Sequence, residues 1–66
     1  MKTAIIGASS DSVHAIEAAR ELGITTVALD GNPEAEGLKH ADKSIVVDIS
    51  DEQTVIDTLR GEHIDF

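Results

Sequence analysis

Two hydrophobic periods alternate along this chain. Thr3-Ala4-Ile5-Ile6-Gly7 is a short apolar run with no polar alternation, the pattern of a strand covered on both faces of a parallel sheet. From about Ser10 to Leu22 the period lengthens. Ala15, Ile16, Ala19 and Leu22 then share one face of a helix, while His14, Glu17 and Glu21 share the other. Ser9 or Ser10 suits the helix start as a cap, and Gly23 suits the left-handed position just past its end. Thr25-Thr26-Val27-Ala28-Leu29 is β-branched and apolar and stops at Asp30. Strand, helix and strand in this order predict a right-handed parallel crossover.

The second half repeats the scheme less regularly. Gly31-Asn32-Pro33 ends the second strand, and Asn32 as cap with Pro33 at the first helical position predicts a turn or two of helix to about Ala35. Glu36 to Lys43 reads as an irregular return, and Ser44-Ile45-Val46-Val47-Asp48 as a third buried strand. Ser50 and Gln53 have the spacing of a capping box, with Asp51 and Glu52 suited to a helix N-terminus. Val55, Ile56 and Leu59 supply that helix's apolar face, and Arg60-Gly61 marks its end. Ile64-Asp65-Phe66 opens a fourth apolar run.

These elements define one α/β domain over residues 1–66: an open parallel sheet of order 3-2-1-4 with helices on both faces. The fourth strand is cut at Phe66, so the chain reads as a truncated domain of a larger protein. The unpaired side of the first strand is then a template for another chain, and a homo-oligomer with Phe66 near the contact, or else a poorly stable monomer, is expected.

Composition narrows the function. Thirteen acids against five bases give a formal net charge of −8, which repels phosphate backbones and anionic lipids. No nucleic-acid or membrane partner is expected. No apolar run approaches the ~20 residues of a membrane span, and the short apolar start is unlike a signal peptide. The absence of cysteine removes disulfides and thiolate metal sites, and suits a cytoplasmic protein.

Two segments carry candidate chemistry. Gly7-Ala8-Ser9-Ser10-Asp11-Ser12 joins the first strand to the first helix, at the sheet edge where ligands of open α/β folds bind. The dinucleotide fingerprint would need glycines where Ser9 and Ser12 stand, so only Gly7 matches it. Asp30 ends the second strand, where a dinucleotide-binding unit holds the acid that bonds a ribose. An equally good reading makes Asp30 the acceptor for the amides of the following turn. His14, His40 and His63 are distant in sequence and read as solvated surface, so no metal site is expected. No catalytic residue is assigned. The lysines, Lys2, Lys39 and Lys43, lie outside any phosphate-cradling glycine loop, so no ATP hydrolysis by this chain alone is expected.

Three segments together resemble the N-terminal, preATP-grasp domain of ATP-grasp ligases. They are Ala4-Ile5-Ile6-Gly7-Ala8, Ala18-Ala19-Arg20-Glu21-Leu22-Gly23, and Val27-Ala28-Leu29-Asp30-Gly31-Asn32-Pro33-Glu34-Ala35. The continuation Gly37-Leu38-Lys39-His40-Ala41-Asp42-Lys43 and Ile45-Val46-Val47-Asp48-Ile49 is similar too. The likeness extends to carbamoyl-phosphate synthase large chains, biotin carboxylase and the carboxylate–amine ligases. Its most specific element is the Asp-x-Asn-Pro-x-Ala turn followed by an Ala-Asp pair. The resemblance implies a Rossmann-like fold whose first loop, Gly7, Ala8, Ser9 and Ser10, and second loop, Asp30 and Asn32, line the acceptor-substrate site. It implies a small carboxylate or phosphate-bearing substrate, with ATP and magnesium used by the parent enzyme and neither held by this chain. The Ser9-Ser10 pair departs from the Gly/Arg-rich forms of that loop. Two other readings stand beside it: the first half of a nicotinamide-dinucleotide-binding oxidoreductase domain, and a non-catalytic association module.

Overall fold

A computed structural model describes residues 1–65. Three strands, β1 (Lys2–Ile6), β2 (Thr25–Asp30) and β3 (Lys43–Val46), alternate with two helices, α1 (Val13–Glu21) and α2 (Glu52–Glu62). Two single turns of 3₁₀ helix, Ser10–Ser12 and Glu36–Lys39, complete the described elements. The strands form one parallel sheet of order β1-β2-β3, pairing Lys2 with Thr25 through Ile6 with Leu29, and Val27 with Lys43 through Asp30 with Val46. This is the expected open α/β sheet, with its first three strands in the expected order.

Partners in parallel register share a face. Ile5, Thr26 and Ala28 therefore lie on one side of the sheet, and Lys2, Val27, Leu29 and Lys43 on the other. Against the first face pack Ala8, Ala35 and Leu38, with Ile5 and Ala41 beside them. Arg20 of α1 reaches over this side to donate to the His40 carbonyl. The second face carries α2, tied down at Glu62. Its carboxylate accepts from Lys43 Nζ at 2.7 Å, and its carbonyl accepts from Lys2 Nζ at 2.9 Å. One glutamate thus fastens the helix to both outer strands.

Several boundaries depart from the sequence pattern. Only β2 is covered on both faces, with Thr26 to Leu29 all buried. β1 and β3 are outer strands here, which leaves Ile6 and Val46 about half exposed. The apolar stripe of α1 narrows to Ile16 and Ala19, because the helix lies chiefly on β2; Ala15 and Leu22 are exposed. Neither Ser9 nor Ser10 caps the helix start. The Ser12 hydroxyl instead donates to the Gly7 carbonyl at 2.9 Å. At the other end Gly23, at φ +76°, completes a left-handed cap in which Gly23 and Ile24 amides donate to the Arg20 and Ala19 carbonyls.

The Ser50/Gln53 box does not form. The Ser50 hydroxyl is engaged by Asp48, so Asp51 caps α2 by accepting from the Thr54 amide at 3.3 Å. Gly61 lies within the helix, and His63 takes the left-handed position after it. Asn32 caps only a turn, its side chain accepting from the Glu34 amide, and the 3₁₀ helix follows at Glu36–Lys39. No strand follows α2 among the described residues. Asp65 nonetheless lies along the free side of β1, donating its amide to the Lys2 carbonyl at 2.8 Å and accepting the Lys2 amide at 2.7 Å. Phe66, expected in that strand and near a contact between copies, lies outside the described residues.

Candidate functional site

The site is built at the carboxyl ends of β1 and β2, where parallel strands leave their last amides and carbonyls to the loops. Gly7 leaves β1 at φ +84°, a conformation costing a residue with a side chain roughly 1–2 kcal/mol. Its amide still donates to the Leu29 carbonyl at 2.8 Å. The next residue turns inward, and Ala8 is fully buried.

Asp30 joins this turn to the one after β2. One carboxylate oxygen accepts the Ala8 amide at 2.7 Å, and the other accepts the Asn32 amide at 2.8 Å. The Asn32 bond, then the Ala8 bond, holds the Asp30 carboxyl below its ordinary range, against a smaller opposing effect of desolvation. Of the two readings of Asp30, the one in which it serves its own turn describes these bonds, and it serves the neighbouring turn as well.

Of the six residues expected to face a ligand, Gly7, Ala8, Asp30 and Asn32 are linked by these bonds. Ser9 and Ser10 follow directly on the surface, and their hydroxyls bond no described residue. The Asn32 side-chain oxygen is used on the Glu34 amide, and the NH₂ of this exposed residue remains as a donor.

Two residues went unassigned in the sequence: Gly37, beside this site, and Asp42, at the opposite, amino end of β2. Gly37 donates its amide to the Ala8 carbonyl at 2.8 Å, and a Cβ at Gly37 would stand 2.8 Å from that same oxygen. Only glycine allows this approach. Asp42, of the Ala-Asp pair, accepts the Thr26 amide at 2.8 Å while its own amide donates to the Thr26 hydroxyl at 3.2 Å. The Thr26 amide, above all, lowers the Asp42 carboxyl. The only sequence signal for either was the resemblance that spans them.

His14 and His63 are exposed, as the surface reading expects, and His40 departs from it. His40 lies with Nδ1 3.0 Å from Glu17 of α1 and Nε2 3.7 Å from Glu36, so it links the 3₁₀ turn to the helix. His14 is exposed and shares no such contact. Among the described residues no three His, Asp or Glu side chains converge as a metal site. No helix among them is long and apolar enough to cross a membrane.

In three dimensions the chain resembles part of an ATP-grasp ligase. The matching structure is N5-carboxyaminoimidazole ribonucleotide synthetase from Thermotoga maritima, with a TM-score of 0.80 and 28% identity over 97% of this chain. The chain spans 20% of the length of that synthetase. No family model matches the chain, and none of the curated proteins does. The likeness carried by the Gly7 and Asp30 turns in the sequence is thus also a likeness of fold.

Proposed function

We propose that this chain forms the acceptor-substrate wall of an ATP-dependent carboxylate–amine ligase and contributes binding contacts, while the chemistry belongs to other parts of the parent. The observation that carries the reading is Asp30. A single carboxylate binds the Ala8 and Asn32 amides, so two turns at neighbouring strand ends act as one surface. Ligands of open α/β sheets lie beyond these ends.

The ligand is an anionic carboxylate or phosphate ester. The Ser9 and Ser10 hydroxyls and the Asn32 NH₂ are its donors, since the Ala8 amide and carbonyl are already taken. These groups fix the substrate's position and leave its reacting atom to face the rest of the parent. The chain's own residues do not fit ATP or magnesium. Lys2 and Lys43 are engaged by Glu62, Lys39 is paired with Glu36, and no carboxylate cluster is formed among the described residues. The dinucleotide alternative asks for glycines where Ser9 and Ser12 stand, and of that fingerprint only Gly7 is present.

Titration with inorganic phosphate, followed amide by amide by NMR, tests the reading. Shifts are expected at Ser9, Ser10, Asp11 and the Asn32 side chain, with millimolar affinity worth about 4 kcal/mol. Shifts centred on His40 or His63 would contradict it.

A further inference from the structure

Ala8 is gripped from two directions. Its amide is held by Asp30 Oδ2 at 2.7 Å, and its carbonyl by the Gly37 amide at 2.8 Å. The preceding peptide is equally committed, with the Gly7 amide on Leu29 and the Gly7 carbonyl on Ser12 Oγ. Every backbone polar group of Gly7 and Ala8 is therefore spent within the protein. Three separate elements supply the partners: β2 with Leu29 and Asp30, the 3₁₀ turn at Ser10–Ser12 with Ser12, and the 3₁₀ turn at Glu36–Lys39 with Gly37.

We infer that Gly37 and Asp30 are positioning residues that clamp Ala8 from opposite sides and thereby present Ser9 and Ser10 as the ligand donors. The inference rests on the substrate-wall reading above. Neither residue need touch the ligand. Gly37 acts by having no side chain, since its Cβ would meet the Ala8 oxygen at 2.8 Å and the Ala8 carbonyl carbon and Cβ at 3.0 Å. Contacts this short force the turn or the 3₁₀ segment to move. Asp30 acts by offering two acceptors, and asparagine offers only one oxygen, so one of the two amides loses its partner.

A preformed turn binds more tightly because its ordering cost is met on folding and not on binding. Loosening it should therefore appear in affinity. Phosphate titrations of the wild-type chain, Gly37→Ala, Asp30→Asn and Leu59→Ala separate the possibilities. Leu59 lies on α2, across the sheet from the 3₁₀ turn, and serves as a general destabilising control. Gly37→Ala and Asp30→Asn are expected to weaken phosphate about fivefold, a loss of about 1 kcal/mol. Leu59→Ala is expected to leave the affinity unchanged. Wild-type affinity in a folded Gly37→Ala or Asp30→Asn variant overturns the clamp, as does an equal loss in Leu59→Ala.

Amide exchange supplies a second readout that does not depend on ligand. The Ala8 and Gly37 amides should be protected in the wild type, and Ala8 protection should fall in Asp30→Asn. If Gly37→Ala fails to fold, Asp30→Asn and the wild-type exchange rates decide the matter. A wild type with no phosphate shifts but a protected Ala8 amide would refute the substrate-wall reading and keep the clamp. An Ala8 amide that exchanges freely in the wild type would refute the clamp itself.

Discussion

Truncating Leu29 to alanine is expected to cost about 2–5 kcal/mol, because Leu29 and Ile16 are the largest side chains that are fully buried among the described residues. Leu29 is wholly buried near the carboxyl end of β2, on the face that α2 covers. It stands in register with Ile6 on one side and Ile45 on the other. Removing it opens a cavity that the sheet cannot close, because backbone bonds hold both flanking strands in place. A chain of 66 residues has a total stability of about 3–10 kcal/mol at the usual value per residue. The variant should therefore be largely unfolded near room temperature or melt far below the wild type. Leu22→Ala provides the contrast. Leu22 is 76% exposed, so its loss should change stability by less than about 0.5 kcal/mol. Urea denaturation of the two variants decides the point, and equal midpoints would mean that the core is not centred on β2.

Acid is expected to unfold the protein over a narrow range. Asp30, Asp42, Asp48 and Glu62 all have carboxyls lowered from ordinary values of 3.8 for aspartate and 4.5 for glutamate. The first cause is the Asn32 amide for Asp30, the Thr26 amide for Asp42, the Ser50 hydroxyl for Asp48 and the Lys43 ammonium for Glu62. A group lowered in the folded state contributes fully above its unfolded value, and the contribution disappears as pH falls through the folded value. Stability from these four groups is thus complete at neutral pH, begins to fall near pH 4.5 and continues to fall below 3.8.

A second effect has the opposite sign. The net charge of −8 repels itself, and partial protonation towards the isoelectric point near 4.5 relieves that repulsion. Salt at about 0.15 M confines the repulsion to ~8 Å, while bonds at contact persist. In such salt the melting temperature should be nearly level from pH 7 to 5 and should drop steeply from 4.5 to 3. Asp30→Asn should melt lower at neutral pH and show a shallower acid slope. A wild-type melting temperature that holds or rises between pH 4.5 and 3 would show that these bonds contribute little.

The strands were legible because their apolar runs are uninterrupted and end on turn formers, Gly7, Asp30 and Asp48. Which of them is doubly covered was less so. Coverage depends on neighbours in the sheet, and β1 and β3 are its outer strands here. The start of α2 misled for a local reason. Ser50 and Asp51 are both good caps at adjacent positions, and the hydroxyl of Ser50 is drawn away by Asp48. The two turns were visible through Gly7 and the Asp30-Gly31-Asn32-Pro33 run, since those residue types have few structural uses besides turning the chain. Gly37 was not visible, because its requirement arises from an Ala8 oxygen that folding brings to 2.8 Å from its missing Cβ. The Glu17–His40 contact joins α1 to a later turn, and spacing along the chain carries no trace of it.

The central claim is that the turns after β1 and β2 form one wall of one substrate site. Amide-resolved titration with 2-phosphoglycolate, a small molecule with a carboxylate and a phosphate, tests it most directly. The account predicts shifts at Ser9 and Ser10 on the first turn and at Gly31 and Asn32 on the second, all following one dissociation constant. That constant should be about tenfold lower than for inorganic phosphate, since one extra charged contact is worth roughly 1.4 kcal/mol. Shifts confined to one turn, two unrelated constants, or a response centred on His40 or His63 would contradict it.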